Sequence, residues 1–257
     1  MRRDLLLWIG LLCSGVVLAF ICWPLAGLIS RTSPSLLLEA LKDEEVQRSL
    51  QLSLFGAFMA SVLSFFFGTP FAYLLARRDF KGKGFIESLI DLPIVIPHPV
   101  IGIAILSVVG RGTFLGDVLS WVGARIVGTK TGIVTVMAFV GMPFYLQAAK
   151  NAFEMVPVRL ERVARTLGAS SSKAFLTVTF PLSSRSVLSG LLMCSARAIS
   201  EFGAVVVVAY HPMTAPVLIY ERFESFGLNY SRPVAVLLIS ISILLFVTLR
   251  LLAGRRR

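Results

Sequence analysis

Charge is what this sequence has little of. Only 15% of its 257 residues are Asp, Glu, Lys or Arg, against about 25% in an ordinary soluble domain. No hydrophilic stretch is long enough to fold as a soluble domain of its own. Acidic residues are the scarcer sign, 14 against 25 cations. Histidine occurs twice, at His98 and His211, so a metal site is not expected. No acidic pair sits in a soluble segment and no histidine accompanies a plausible nucleophile, so no catalytic constellation is read. Cysteine is rare as well. Cys13, Cys22 and Cys194 lie singly in apolar runs, without ligand spacing, and read as small hydrophobes. The stretch "GARIVGTKT", 123–131, comes close to a phosphate-binding loop, but Thr129 separates Gly128 from Lys130. Any ATP hydrolysis is therefore expected from another chain.

What is present is apolar sequence, 56% of the residues, in long runs. About 20 apolar residues cross a bilayer as a helix. Six candidate spans follow, near 5–29, 50–76, 88–109, 132–150, 186–209 and 233–253. The first resembles a signal peptide in charge pattern, yet its apolar part outruns a signal core of about 7–15 residues. It reads as a retained span. The expected class is an all-α membrane protein with six transmembrane helices in one domain, 1–257.

The net charge of +11 would suggest nucleic acid in a soluble protein. Here cations sort by side of the membrane instead. The N-terminus, 77–87, 150–185 and the C-terminus carry sixteen, among them Arg2, Arg3, Arg250, Arg255, Arg256 and Arg257; the alternate loops carry eight. The sixteen-cation side, with both termini, is expected to be cytoplasmic, in the plasma membrane, with lipid and not nucleic acid as neighbour. On the other side, 33–48 reads as a short surface helix with Ser33 as cap and Pro34 at its first position. Segment 110–132 reads as a glycine-rich loop with an interfacial piece at Leu119–Val122, and 210–232 as a loop.

The longest loop on the cation-rich side contains "PVRLERVARTLGASSSKAFLTVTFPL". Leu160, Val163, Ala164 and Leu167 share a helical stripe, and Gly168 stops the helix. Ser170–Ser172 can cap a second helix, and Pro181 marks the approach to span five. Two readings fit: an amphipathic hairpin lying on lipid, or a docking knob whose apolar stripe a cytoplasmic partner covers.

Within the membrane, Arg197 and Glu201 stand four residues apart in span five. Charge at that depth costs about 2.5–3.5 kcal/mol or more, so the two are expected to pair, either as a clamp between helices or along a translocation route. Gly190, Cys194 and Ala198 make a stripe of small residues suited to close packing or a dimer seam. "DLPIVIPHP" puts Pro93, Pro97 and Pro99 at the start of span three, either a kinked span or a break lining a gate. Asp91 is expected to cap that segment.

The loop resembles the coupling motif of permease subunits of ABC importers: Glu-Ala-Ala, three residues, Gly, nine residues, Ile, one residue, Leu-Pro. With Gly168 as the glycine, Val178 takes the isoleucine place and Phe180-Pro181 the Leu-Pro place. Arg162, Val163 and Ala164 stand at Glu-Ala-Ala, so only the last matches, with Glu161 one place early. "FGTPFAYLLARRDFKGK", "DLPIVIPHPVIGIAIL" and "ARAISEFGAVVVVAYHPMTAPVLIYERF" are similar to the molybdate/tungstate branch.

The resemblance implies the type I importer permease architecture. It implies a homodimer, two cytoplasmic ATPases that bind ATP and Mg, and an external oxyanion-binding protein; no cofactor is expected in this chain. It implies a coupling segment over about 151–183, with Val158, Leu160, Glu161, Ala164, Arg165, Leu167, Gly168 and Ala169 toward the ATPase. Arg197, Ser200, Glu201, Pro97 and His98 are the candidates for pathway or gate. A sulfate or thiosulfate permease is the alternative of the same architecture. A self-sufficient anion carrier is another, but it predicts inverted repeats, and none is seen.

Overall fold

The computed structural model describes residues 2–121, 123 and 125–254, with side chains at 2–6, 249, 250 and 252–254 left aside. Val122 and Arg255–Arg257 lie outside the described residues, as do the side chains of Arg2, Arg3 and Arg250.

Every regular element among the described residues is helical: α1 (Arg2–Ser30), α2 (Pro34–Lys42), α3 (Glu44–Arg77), α4 (Lys83–Val95), α5 (His98–Val109), α6 (Phe114–Trp121) and α7 (Lys130–Glu154). Then come α8 (Val158–Thr166), α9 (Ser171–Ala174), a π-turn (Phe175–Thr179), α10 (Phe180–Ile199), α11 (Gly203–Val208), α12 (Ala215–Phe226) and α13 (Leu228–Gly254). Among the described residues five helices are long and apolar enough to cross a membrane, and α4 with α5 makes a sixth crossing or a re-entrant loop, bent by 113°. The chain is an all-α, multi-pass membrane protein.

Helices α3, α7 and α10 form the packed centre. The stripe of small residues on α10 is taken up inside the chain. A Cβ on Gly141 of α7 would sit 2.8 Å from the Cys194 sulfur, and one on Gly190 would sit 2.8 Å from the Ala148 Cβ. Helices in lipid gain little from hydrophobic exclusion, so close backbone approach is what holds them. Ser61 adds a side-chain hydrogen bond to Ser195, 2.7 Å away. By contrast, α1 leaves its apolar residues exposed and meets the bundle along α13.

Several expected boundaries move. The surface helix stops at Lys42. Asp43 then accepts from the Glu45 and Val46 amides and starts α3, so 44–48 belong to the second span. Ser33 precedes α2 but its hydroxyl pairs with that of Ser35, leaving Pro34 to set the start. Span three is broken at Ile96–Pro97, where proline removes an amide donor and crowds the preceding turn. Asp91 caps nothing there; it accepts from Gln147 at 2.6 Å. Segment 210–232 contains α12. The interfacial piece in the glycine-rich loop is α6, beginning earlier than expected.

Span five changes most. The second helix of the long loop is the start of the span itself, a continuous helix over Ser171–Ile199. Its 29 residues reach roughly 43 Å at about 1.5 Å each, more than the ~30 Å of hydrocarbon. The Phe180 amide reaches back to the Phe175 carbonyl across the π-turn, just before Pro181. In a regular helix the Pro181 ring would crowd the carbonyl four residues back, and the wider turn relieves that. The helix ends at Ile199, so Glu201 lies in a break and not within a helix.

Candidate functional site

Two groups of residues stand out, one at the end of the bundle and one inside it. The first centres on α8. Pro157 precedes it, and Gly168 ends it at φ +91°, a left-handed conformation open to glycine without strain. The Gly168 amide donates to Arg165 O and the Ala169 amide to Ala164 O, closing the helix with the two bonds of a Schellman turn. Ser170 Oγ then accepts from the Lys173 amide and opens the next helix, as its sequence predicts.

Val158, Leu160, Arg165, Leu167 and Gly168 are exposed, and Ala164 and Ala169 half-buried. Val163 is exposed too, and Leu167 reaches 83%. An apolar face is thus left open, bordered by Arg159, Arg162 and Arg165.

Glu161 is the exception in the expected coupling set: it turns inward and is 7% exposed. Tyr73 Oη donates to its Oε2 at 2.9 Å. Arg77 Nε lies 2.9 Å and Nη2 2.8 Å from Oε1, and the Thr179 hydroxyl donates to the same oxygen. Arg77 also donates to Val156 O at 3.0 Å. One carboxylate therefore ties α8 to the end of α3 and to the π-turn. Burial alone would raise the Glu161 pKa, but hydrogen bonds from Thr179, Arg77 and Tyr73, with the Arg77 charge, bring it below the usual glutamate value. Sequence reasoning missed Arg77, Tyr73 and Thr179. Arg77 counted there only as a loop cation, and no local pattern joins it to Glu161, 84 positions away.

The second group lies where the breaks of spans three and five cross. Pro97 separates α4 from α5 and places His98 at the first turn of α5. Gly203, at the start of α11, packs so tightly that a Cβ would stand 2.8 Å from His98 Cβ. Arg197 Nη2 donates to Glu201 Oε2 at 2.7 Å and lies 2.7 Å from His98 Nε2. His98 Nδ1 lies 2.8 Å from the same Oε2. Arg197 Nη2 also lies 2.8 Å from His98 Nδ1, so the imidazole edge faces the guanidinium and the carboxylate together. Glu201 Oε1 accepts from the Ala204 amide at 2.9 Å. Arg197 Nη1 donates to Ser200 Oγ at 3.2 Å. The five residues singled out in sequence, Pro97, His98, Arg197, Ser200 and Glu201, come together at this crossing. The expected Arg197–Glu201 pair forms although Glu201 has left the helix.

The depth of this cluster follows from its neighbours. Cys194 meets Gly141 and Ser195 meets Ser61, near the midpoints of α7 and α3. Arg197, one turn further on, is therefore close to mid-bundle. Among the described residues no group of three or more His, Cys, Asp or Glu is placed to hold a metal ion.

The chain is thus a multi-pass bundle with an open amphipathic helix fixed to one end and an ion cluster near its middle. Comparison with known proteins makes this specific. The chain belongs to the family of binding-protein-dependent transport system inner membrane components, whose family model matches residues 68–257. It is 44% identical to the molybdate/tungstate transport system permease protein WtpB of Pyrococcus furiosus, over 100% of this chain and 98% of that protein. It is 42% identical to the protein of the same name from Thermococcus kodakarensis, over 100% and 99%. A probable sulfate transport system permease protein, cysT of Chlorokybus atmophyticus, is 31% identical over 86% and 80%. In fold the chain matches a crystal structure of a bacterial alginate ABC transporter in complex with a periplasmic protein, with a TM-score of 0.79 over 99% of this chain and 96% of that one, at 14% identity.

Proposed function

We infer that this chain is the permease subunit of an ATP-driven molybdate or tungstate importer. Two copies form the pathway, two ATPase subunits grip α8 from the cytoplasm, and an external protein delivers the oxyanion. ATP and Mg belong to the ATPases; this chain holds the route and the coupling helix and performs no chemistry of its own. The termini and α8 lie on the cytoplasmic side, which the sixteen-to-eight division of cations supports. The oxyanion passes the crossing of the two broken spans, past Pro97, His98, Arg197, Ser200 and Glu201. The relatives named for molybdate and tungstate share more of this sequence than the one named for sulfate, which favours the former substrates.

The observation that carries the reading is the apolar face of α8, exposed yet tied to the bundle through Glu161. A helix destined to lie on lipid needs no such anchor. A helix that receives a stroke does, because a loose joint would absorb it. Burying Leu167 in a partner stabilises the complex by about 2 kcal/mol. Leu167→Asp therefore weakens co-purification of the ATPase subunit by more than about tenfold, while the permease inserts and melts as before. Undiminished co-purification would refute the docking role. Tungstate uptake by vesicles containing this chain alone, without ATPase, would overturn the importer reading in favour of a carrier.

A further inference from the structure

The ion cluster at the crossing of spans three and five has one closed side and one open side. Glu201 is 1% exposed, and its two oxygens are taken by Arg197, His98 and the Ala204 amide. The Arg197 side chain is 22% and the His98 side chain 32% exposed, and Ser200 beside them is exposed. A guanidinium edge near mid-bundle does not face hydrocarbon, where it would find no hydrogen-bond partner. The open side therefore faces water or a second copy of the chain.

We propose, building on the importer reading above, that this open edge is a transient subsite for a tetrahedral oxyanion dianion. Arg197 Nη1 and Nε donate to the anion, joined by the Ser200 hydroxyl when it turns from the Arg197 carbonyl to which it donates at 3.0 Å, and Glu201 is a fixed counter-charge that keeps the anion from staying. Arg197 has five N–H donors in a planar fork. Nη2 is committed to Glu201 and His98 and one Nη1 hydrogen to Ser200 Oγ, which leaves the second Nη1 hydrogen and Nε for an oxyanion. Arg197 compensates the water the dianion sheds, and the carboxylate behind it subtracts from that gain. A conducting site needs both halves, since binding must permit entry and also release. Because His98 and Glu201 stand on opposite sides of the two helix breaks, the counter-charge is held by the segments whose separation would open the passage. Movement of α5 away from α11 would break the His98–Glu201 contact and alter the pull on Arg197, coupling anion affinity to the state of the gate.

The test uses the permease assembled with its ATPase in lipid nanodiscs, with tungstate as the probe. One charge a few ångströms from a bound anion shifts its affinity by about tenfold or more. Glu201→Gln is expected to retain tungstate about tenfold more tightly and to slow ATP-driven uptake. Arg197→Gln is expected to abolish retention. Ser200→Asp leaves the buried brace in place but sets a negative charge at the open edge, and is expected to stop uptake while α8 still holds the ATPase. Glu201→Gln that loosens the bundle without tighter tungstate retention, or Ser200→Asp with normal uptake, overturns the subsite. Wild-type complex that takes up no tungstate with ATP and the external binding protein present overturns the importer reading itself, so the two failures are separable.

Discussion

Removing the Glu161 carboxylate tests how α8 is held. In Glu161→Ala, Arg77 loses both contacts to Oε1 and keeps the Val156 carbonyl and the face of the Tyr73 ring, while the Tyr73 and Thr179 hydroxyls lose their acceptor. Deleting one partner of a buried ion pair costs about 3–5 kcal/mol. The site lies at the rim of the bundle, where water can reach part of the freed charge, so the lower end applies, about 3 kcal/mol. At 1.4 kcal/mol per factor of ten, local opening of α8 becomes about a hundredfold more frequent. The assay is amide hydrogen exchange in nanodiscs, comparing residues 159–167 with the centre of α7. Glu161→Ala and Arg77→Ala should each lose about two orders of magnitude of protection in α8, with α7 unchanged. Thr179→Val, which removes one hydrogen bond to a charged group, should lose about 1.5–3 kcal/mol. Native exchange of α8 in both Glu161→Ala and Arg77→Ala would refute the clamp. Uniform loss across α7 as well would show that Glu161 supports the whole bundle and not this joint.

The same pair sets a pH dependence. The Glu161 pKa is lowered in the folded state, so its contribution is complete above the unfolded glutamate value of about 4.3 and is lost as pH falls through the lower folded value; the exchange difference between wild type and Glu161→Gln should be constant from neutral pH down to about 5 and shrink below it. At Gly168, φ is +91° and nothing lies within 4 Å of a Cβ, so backbone strain alone decides: Gly168→Asn should be nearly tolerated, while Gly168→Val should cost at least about 1–2 kcal/mol in the exchange protection of α8. Gly141→Ala puts a methyl 2.8 Å from the Cys194 sulfur and 3.0 Å from its carbonyl oxygen; it should destabilise the centre by about 1–3 kcal/mol, seen as a lower melting temperature in detergent, with α8 exchange unaffected.

Much of this protein is written in local sequence. Apolar runs of bilayer length mark the long helices because no other backbone arrangement satisfies itself within lipid. Gly168 and Ser170 delimit the end of α8 and the start of the next helix through bonds to amides and carbonyls a few residues away. Charges in an apolar segment identify Arg197 and Glu201 as a pair, because neither is stable alone at that depth. Each of these features is decided by neighbours along the chain, so composition and spacing carry it.

Tertiary structure decided the rest. Residues 44–48 read as the end of a surface helix and 171–179 as a separate second helix of the loop, yet they extend α3 and the fifth span, since helices longer than the bilayer can project beyond it. Glu161 reads from the sequence as one of the residues turned toward a partner, and folding instead brings Arg77, Tyr73 and Thr179 to its carboxylate. His98 has no partner within its own segment; it gains two because the break at Pro97 and the break after Ile199 cross at the same depth. Sequence alone determined what must cross the membrane and which face of α8 is apolar. Which polar side chains meet was left to the three-dimensional packing, because a contact between residues 84 or 99 positions apart depends on where whole helices lie and leaves no periodic trace in either segment.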